Sequence, residues 1–278
     1  MTNNVNYIRG TYKGNLAIVA DDSDEENHTD GSVLNLKSYK DANGNTYAAQ
    51  TIHTYEKMSF RYGYLEMRAK VPSVQGAWPA FWIRSGDAYS GKTPFGEIDI
   101  FEVYGTHYKD AEKPGYGVID TTFHKWLGGE SRHCASGTNS AKGFELISSD
   151  LVSFDPNEYH IFAMEWTPET ITFYLDDEVY YKVDMTVDMC GHDANKDGIP
   201  DHKDYMSCFN DNSQQYFLLI SNLVFNSMDD DWAPDQCISK TENFEANYYI
   251  DYVRLYQNPL FGEKITLHNG CVHAPDIY

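Results

Sequence analysis

The chain has 278 residues and a net charge of −21, from 42 acidic and 21 basic residues, with an aromatic content of 15%. Such an excess of negative charge argues against nucleic acid and anionic membrane as partners, because both attract positively charged surfaces. A neutral polymer and bound calcium are compatible with it. The length suits a single domain over residues 1–278, as all-β domains often reach this size.

Segments rich in Tyr, Phe, Val and Ile follow one another along the chain and are separated by turn residues, which predicts many short strands. In chain order they are residues 15–20, 48–54, 62–71, 80–84, 97–104, 117–124, 160–166, 170–183, 215–225 and 248–257. Leu65, Ala69 and Val71 predict one buried face on the third of them. Because no long run repeats at a helical period, the pattern predicts an all-β sandwich or barrel.

Two polar segments interrupt the predicted strands, at residues 21–32 and 184–213. The second has the ligand spacing of an EF-hand loop, with Gly198 at the sixth position. Its candidate ligands are Asp193, Asn195, Asp197, Ile199, Asp201 and Asp204. We predict a structural calcium loop without the helices of a true EF-hand; an acidic turn with fortuitous spacing is the alternative.

Residues 95–103 read FGEIDIFEV and place several carboxyl groups on one predicted strand. Side chains alternate between faces, so Glu97 and Asp99 share one face. Glu102 would then face the core with the isoleucines, which is costly for a carboxyl group. A single β-bulge around Phe101 removes this conflict by returning Glu102 to the acidic face.

The bulge also sets the separation of the two glutamates. Their Cα atoms would lie ~13 Å apart, at a rise of ~3.3 Å per residue. If both side chains lean inward by about 4 Å, roughly 5 Å remains between the carboxyl groups, as in retaining glycosidases. One glutamate must be ionised and the other protonated, and neighbouring like charges separate their pKa values. The alternative is the acidic face of an edge strand in a very acidic protein.

A tryptophan motif precedes this strand, since residues 76–83 read GAWPAFWI. The pair GxWPAFW and GEIDIFE resembles glycoside hydrolase family 16. Residues 62–70, 159–168 and 250–257 match further segments in the family's order (YGYLEMRAK, YHIFAMEWTP and IDYVRLYQ). The resemblance runs from about residue 10 to residue 257. The ExDxxE spacing is similar to that of laminarinases, agarases and carrageenases, whereas lichenases have a spacing one residue shorter and no bulge.

The resemblance implies a β-jelly roll, a sandwich of two curved antiparallel sheets with an open concave cleft. It implies that Glu97 is the nucleophile, Asp99 its assistant and Glu102 the acid/base, with no cofactor for catalysis. The implied sugar-contacting residues are Trp78, Trp82, His124, Trp126 and Asn222. Core packing of the tryptophans and a surface position for the histidine are the alternatives, and Trp166 is expected in the core. A structural calcium at Asp251 is a further expectation from the family.

We therefore expect an endo-acting, retaining hydrolase that cleaves internal β-1,3 linkages of a neutral β-glucan such as laminarin. The alternatives are β-agarase, β-galactanase or mixed-linkage glucanase activity, or a non-catalytic glycan-binding sandwich. Residues 222–227 read NLVFNS where laminarinases usually read NLAVGG, which loosens the substrate assignment. The polysaccharide is the expected partner of a secreted monomer, whose signal peptide is not part of this chain.

Overall fold

The computed structural model describes residues 17–20, 33–47, 51–85, 95–104, 116–127, 130–135, 144–146, 152–185, 209, 214–224, 243–258, 260 and 264–267. Most of this part of the chain is β-strand. The strands are β1 Ala17–Ala20, β2 Val33–Lys40, β3 Thr46–Tyr47, β4 Ile52–His53, β5 Met58–Arg61, β6 Gly63–Lys70, β7 Ala77–Ser85, β8 Phe95–Glu102, β9 Gly117–Val118, β10 Asp120–Leu127, β11 Glu130–Ala135, β12 Phe144–Leu146, β13 Ser153–Phe154, β14 His160–Trp166, β15 Thr170–Leu175, β16 Glu178–Asp184, β17 Tyr216–Val224, β18 Glu245–Tyr256 and β19 Lys264–Leu267.

The strands form two large antiparallel sheets. The back sheet has the order β1-β2-β18-β6-β14-β15-β16-β12, with β3 paired to β2. The carboxylate sheet, which contains β8, has the order β11-β10-β8-β7-β17-β5-β19, with β4 paired to β17. Strands β9 and β13 make a separate pair. This is the predicted all-β jelly-roll sandwich, and no helix among the described residues is long and apolar enough to cross a bilayer.

The core lies between the two sheets and is rich in aromatic side chains. Strand β6 alternates regularly, with Leu65 and Ala69 buried, as the sequence predicts. Phe101 of the carboxylate sheet packs on Phe162 of the back sheet, with ring centroids 4.5 Å apart. Trp166 is fully buried, which confirms its expected place in the core. Contacts of this kind hold the carboxylate sheet against a continuous apolar layer.

The structure corrects the predicted strands in several places. Residues 170–183 form two strands, β15 and β16, because Asp176 and Asp177 turn the chain with φ values of 50° and 67°. Strands β2, β3, β5, β11, β12, β13 and β19 had no predicted counterpart. The polar segment 21–32 lies outside the described residues, as does nearly all of 184–213.

Candidate active site

The bulge predicted in the carboxylate strand is present. Trp82 of β7 lies opposite Asp99, but the next pair is Phe81 opposite Phe101, so Ile100 is an extra residue. The register between β8 and β10 shifts at the same place. The prediction located the bulge around Phe101, one residue from where it occurs.

The bulge frees one backbone carbonyl group, and two side-chain hydroxyls donate hydrogen bonds to it. An extra residue disrupts the ladder of backbone hydrogen bonds locally. The carbonyl oxygen of Ile100 accepts hydrogen bonds from the Thr121 hydroxyl at 3.0 Å and from the Tyr180 hydroxyl at 3.2 Å. All three residues are buried, where an unpaired carbonyl would be costly. The bulge is therefore supported by the neighbouring strand β10 and by β16 of the back sheet.

The bulge sorts the residues of β8 between the two faces of the sheet. Ile98 and Ile100 belong to the core between the sheets. Glu97, Asp99 and Glu102 lie on the opposite face, where they contact polar and aromatic groups of β7 and β10. Each of these three residues is more than 90% buried. A concentrated, largely desolvated group of carboxyls is thereby built on one face of a single strand.

Glu97 has a cationic neighbour. It lies opposite Arg84 of β7, and the Nε atom of Arg84 is 3.3 Å from its Oε2 atom. The Arg84 guanidinium also lies over the ring of Phe95, 4.7 Å from its centroid. Because an adjacent cation favours the ionised form of a carboxyl group, this environment suits a nucleophile.

Asp99 lies beside His124 of β10, with 3.1 Å between Oδ2 and Nε2. Burial raises the pKa of Asp99 well above its usual value, and the charge of Asp120 adds to that rise. Arg84 acts in the opposite direction on the same pKa. The structure thus places His124 beside the carboxyl groups, on the strand paired with β8, and its contact with sugar stays a prediction.

Glu102 is held by two donors. Its Oε1 atom accepts a hydrogen bond from Trp78 Nε1 at 2.8 Å, and its Oε2 atom accepts one from the Tyr104 hydroxyl at 2.7 Å. Burial, followed by the charge of Asp99, raises the pKa of Glu102 well above its usual value. His124 and the bond from Tyr104 oppose that rise without cancelling it. A raised pKa keeps the proton that a general acid must donate.

The two tryptophans of the GAWPAFWI motif share the face of the carboxyl groups. Trp78 contacts Glu102 and packs against Tyr104, with ring centroids 5.9 Å apart. Trp82 donates from Nε1 to the Ser221 hydroxyl at 3.2 Å. Both indoles are only partly buried, so they are not core residues. Their contact with sugar stays a prediction.

The prediction that Asn222 lines the cleft is wrong. Asn222 is fully buried, and its Nδ2 atom donates to the carbonyl oxygens of Leu36 and Ala246 in the back sheet, at 2.7 and 3.1 Å. Strand β17 alternates, and Asn222 points inward while Ser221 points toward Trp82. Asn222 therefore joins the two sheets.

Other predicted site residues lie partly or wholly outside the described residues. Trp126 lies opposite Phe95 in the pairing of β10 with β8, but its side chain is not among the described ones. The predicted calcium loop lies entirely outside the described residues, and calcium binding there stays a prediction. Asp251 accepts a hydrogen bond from Arg68 at 2.8 Å, so a guanidinium already balances its carboxylate.

Some side-chain atoms of the carboxyl cluster lie close enough together to hold a metal ion. One atom each of Glu97, Asp99 and His124 lies within 4.8 Å of the others, the only such group among the described residues. The Arg84 cation is beside the same Glu97 carboxylate. Since a bound cation would have to share this carboxylate with a guanidinium, we interpret the cluster as carboxyl groups whose charge Arg84 balances in part.

Sequence reasoning missed three residues of this site: Arg84, Tyr104 and Ser221. The sequence contained a positional signal for two of them. Arg84 follows Trp82 by two positions in β7, and Tyr104 follows Glu102 by two positions, so alternation places each on the face of the carboxyl groups. Ser221 required knowledge of which strand lies beside β7.

An antiparallel sandwich that presents two glutamates of opposed electrostatic environment on one face has the arrangement of a glycoside hydrolase. The family model "Glycosyl hydrolases family 16" matches residues 14–196, and the chain belongs to this family. Its motif-based identification is confirmed. The chain is therefore a member of a glycan-degrading enzyme family whose substrates are polysaccharides.

Curated relatives and solved structures agree with this assignment. The chain is 28% identical over 233 residues to the "Beta-glucanase" of Rhodothermus marinus, covering 82% of this chain and 68% of that protein. It is 26% identical over 233 residues to "Glucan endo-1,3-beta-glucosidase A1" of Niallia circulans, covering 81% of this chain but only 30% of that protein. A Bacteroides ovatus mixed linkage glucan family 16 structure with bound product superposes with a TM-score of 0.60 at 21% identity, covering 90% of this chain and 89% of that one. This last likeness shows the fold.

Proposed function

We propose that this chain is a retaining endo-β-glucanase that cleaves internal β-1,3 linkages of a neutral β-glucan such as laminarin. One observation carries the proposal: a single bulge presents Glu97 and Glu102 on the same face in opposite electrostatic environments. Arg84 favours a charged Glu97, while burial and Asp99 favour a protonated Glu102. Retaining hydrolysis needs that division of charge.

In the first step, the Glu97 carboxylate attacks the anomeric carbon and forms a glycosyl ester. The bond to the leaving sugar breaks, and its oxygen takes the proton of Glu102. In the second step, the ionised Glu102 accepts a proton from water as that water attacks the anomeric carbon, which releases Glu97. Two inversions give net retention.

Asp99 and His124 act on this pair through charge and position. The Asp99 carboxyl lies between the two glutamates along β8, and its charge raises the pKa of Glu102. The contact of His124 with Asp99 holds that carboxyl in place. Loss of either residue should therefore alter the pH dependence of hydrolysis as well as its rate.

The β-1,3 specificity is supported by the name of the Niallia circulans relative, a glucan endo-1,3-β-glucosidase. The net charge of −21 fits an uncharged polymer better than a sulfated one. A mixed-linkage glucanase is the second candidate, because the Bacteroides ovatus structure is of a mixed linkage glucan enzyme. We also propose that the enzyme is secreted, since its polymeric substrate would be met outside the cell.

Product analysis tests the proposal. We expect oligosaccharides of mixed length from laminarin, weaker cleavage of lichenan, and no cleavage of agarose or galactan. Proton NMR during hydrolysis should show the β-anomer first. Faster cleavage of lichenan would favour the second candidate, and an α-anomer formed first would contradict retention.

A further inference from the structure

The two hydrogen-bonding partners of Glu102 are chemically different. The indole N–H of Trp78 can only donate a hydrogen bond, whereas the hydroxyl of Tyr104 can either donate or accept. Trp78 contacts Oε1, and Tyr104 contacts Oε2. While the Trp78 bond is in place, Oε1 must be an acceptor, so the acidic proton of Glu102 belongs on Oε2.

We propose that Tyr104 is a positioning residue that holds the acidic proton on Oε2 of Glu102 and stabilises the carboxylate that its transfer leaves behind. The proposal rests on the proposed role of Glu102 as acid/base. Before transfer, the Tyr104 hydroxyl accepts a hydrogen bond from the protonated Oε2. As the proton moves to the glycosidic oxygen and the C–O bond electrons go to that oxygen, the hydroxyl turns and donates to the new carboxylate.

This change of role makes Glu102 a stronger acid, because a hydrogen bond donated to a charged oxygen is stronger than one accepted from a neutral acid. It opposes burial and the charge of Asp99, which both raise the pKa of Glu102. The remaining charged groups that bear on Glu102 and Asp99 are Asp120 and His124 from β10 and Arg84 from β7. All of them are retained when only the Tyr104 hydroxyl is removed.

The position of Tyr104 suits this role. It lies two residues after Glu102, just past the end of β8, and its hydroxyl is 2.7 Å from Oε2 of Glu102. Its ring packs against Trp78, with centroids 5.9 Å apart. The two donors therefore support each other as well as the carboxyl group.

The test is Tyr104→Phe, measured as kcat/KM on an unactivated laminari-oligosaccharide and on a dinitrophenyl glycoside, whose leaving group needs no proton. We expect about a tenfold loss on the oligosaccharide and less than about a twofold loss on the dinitrophenyl substrate. The hydrogen bond from Tyr104 lowers the pKa of Glu102, so removing this bond should raise that pKa. The basic limb of the oligosaccharide profile should move up by about one pH unit.

The matched control is Tyr174→Phe, which removes a tyrosine hydroxyl that donates to Glu165 on the back sheet at 3.2 Å. It should change neither substrate's kcat/KM nor the pH profile. Equal losses on both substrates for Tyr104→Phe, or an unmoved basic limb, would overturn the proposal. If Tyr104→Phe does not fold, 3-fluorotyrosine at position 104 replaces it. This more acidic donor should move the basic limb to lower pH, and no movement would count against Tyr104.

Glu102→Gln separates this inference from the proposed function. It should lose the oligosaccharide reaction while keeping kcat/KM on the dinitrophenyl glycoside. If it does so and Tyr104→Phe behaves as wild type, the acid/base assignment stands and only the role of Tyr104 falls. If Glu102→Gln cleaves the oligosaccharide normally, the acid/base assignment itself is wrong.

Discussion

Strand β18 of the back sheet changes register at Asp251, and strand β8 of the carboxylate sheet changes register at Ile100. Each bulge accompanies an acidic side chain on a face away from the core. In β18, Asp251 receives a hydrogen bond from Arg68 at 2.8 Å, which balances its charge. In β8, three carboxyl groups are gathered, and the pKa values of Asp99 and Glu102 are raised well above their usual values.

A bulge alone therefore does not make a site. The same backbone device supports an ion pair in one sheet and a group of incompletely balanced acids in the other. What distinguishes them is the ratio of cations to carboxyl groups around each bulge. Mutations that act on charge should therefore affect activity at β8 and stability at β18.

The largest expected effect is on activity at β8. Glu97→Gln keeps the size of the side chain and removes the nucleophile, so hydrolysis should fall by more than about 1,000-fold while glucan binding persists. The measurements are initial rates on laminarin and binding by calorimetry. Glu165→Gln, on the back sheet, is the matched control and should retain full activity. Substantial hydrolysis by Glu97→Gln would show that another residue is the nucleophile.

Deletion of one isoleucine tests what the β8 bulge does. Deleting Ile100 makes the strand regular and leaves Glu97, Asp99 and Glu102 on one face, so the folded protein should retain measurable activity. The cost is the packing of a buried isoleucine, about 3 kcal/mol of unfolding free energy. Urea unfolding and activity per folded molecule are the measurements.

Deleting Ile98 is the matched control, because it gives the same composition but turns Glu97 toward the core. That variant should be inactive. If the two deletions were equally inactive while folded, the bulge would have a role beyond restoring the face of Glu102.

At the β18 bulge, Arg68→Met should reduce stability and leave chemistry intact. The side chain of Asp251 is fully buried, and that of Arg68 is 18% exposed. Removing the cation should lower the unfolding free energy by about 2–3 kcal/mol, with unchanged activity per folded molecule. Adding Asp251→Asn should recover part of the loss. An Arg68→Met variant with reduced activity and unchanged stability would contradict the difference proposed between the two bulges.

The smallest effect is expected at Arg84, the cation of the β8 site. Arg84 lies beside Glu97 and lowers the pKa of Asp99. Without it, these carboxyl groups should keep their protons to higher pH, so the acidic limb of kcat/KM for Arg84→Met should move upward. At pH 5 the rate should fall about tenfold. A limb that moves downward would contradict the proposed charge balance.

Sequence reasoning predicted much of the carboxylate strand because its constraints are local. Alternation, together with the cost of burying Glu102 in the core, required an irregularity within a few residues. The sequence predicts one strand where the hairpin of β15 and β16 lies, because Asp176 and Asp177 turn the chain without glycine or proline. The pairing of Leu175 with Glu178 and the positive φ values of the two aspartates show the turn.

Asn222 shows why long-range features were harder to predict. Strand β17 is apolar on both faces, so its composition does not indicate which residues face the back sheet. The pairing of β17 with β7 and the contacts of Asn222 with Leu36 and Ala246 show that Asn222 faces the back sheet. Those contacts join residues far apart in the chain, and no local pattern encodes them.

Trapping of the covalent intermediate tests the central claim most directly. A 2-deoxy-2-fluoro glucoside oligosaccharide with a dinitrophenyl leaving group should form a stable ester, which peptide mass spectrometry can locate. We predict stoichiometric labelling of Glu97 in wild type and in Glu102→Gln, and no labelling in Glu97→Gln. Labelling of any other residue, or hydrolysis by an enzyme that is never labelled, would contradict the account.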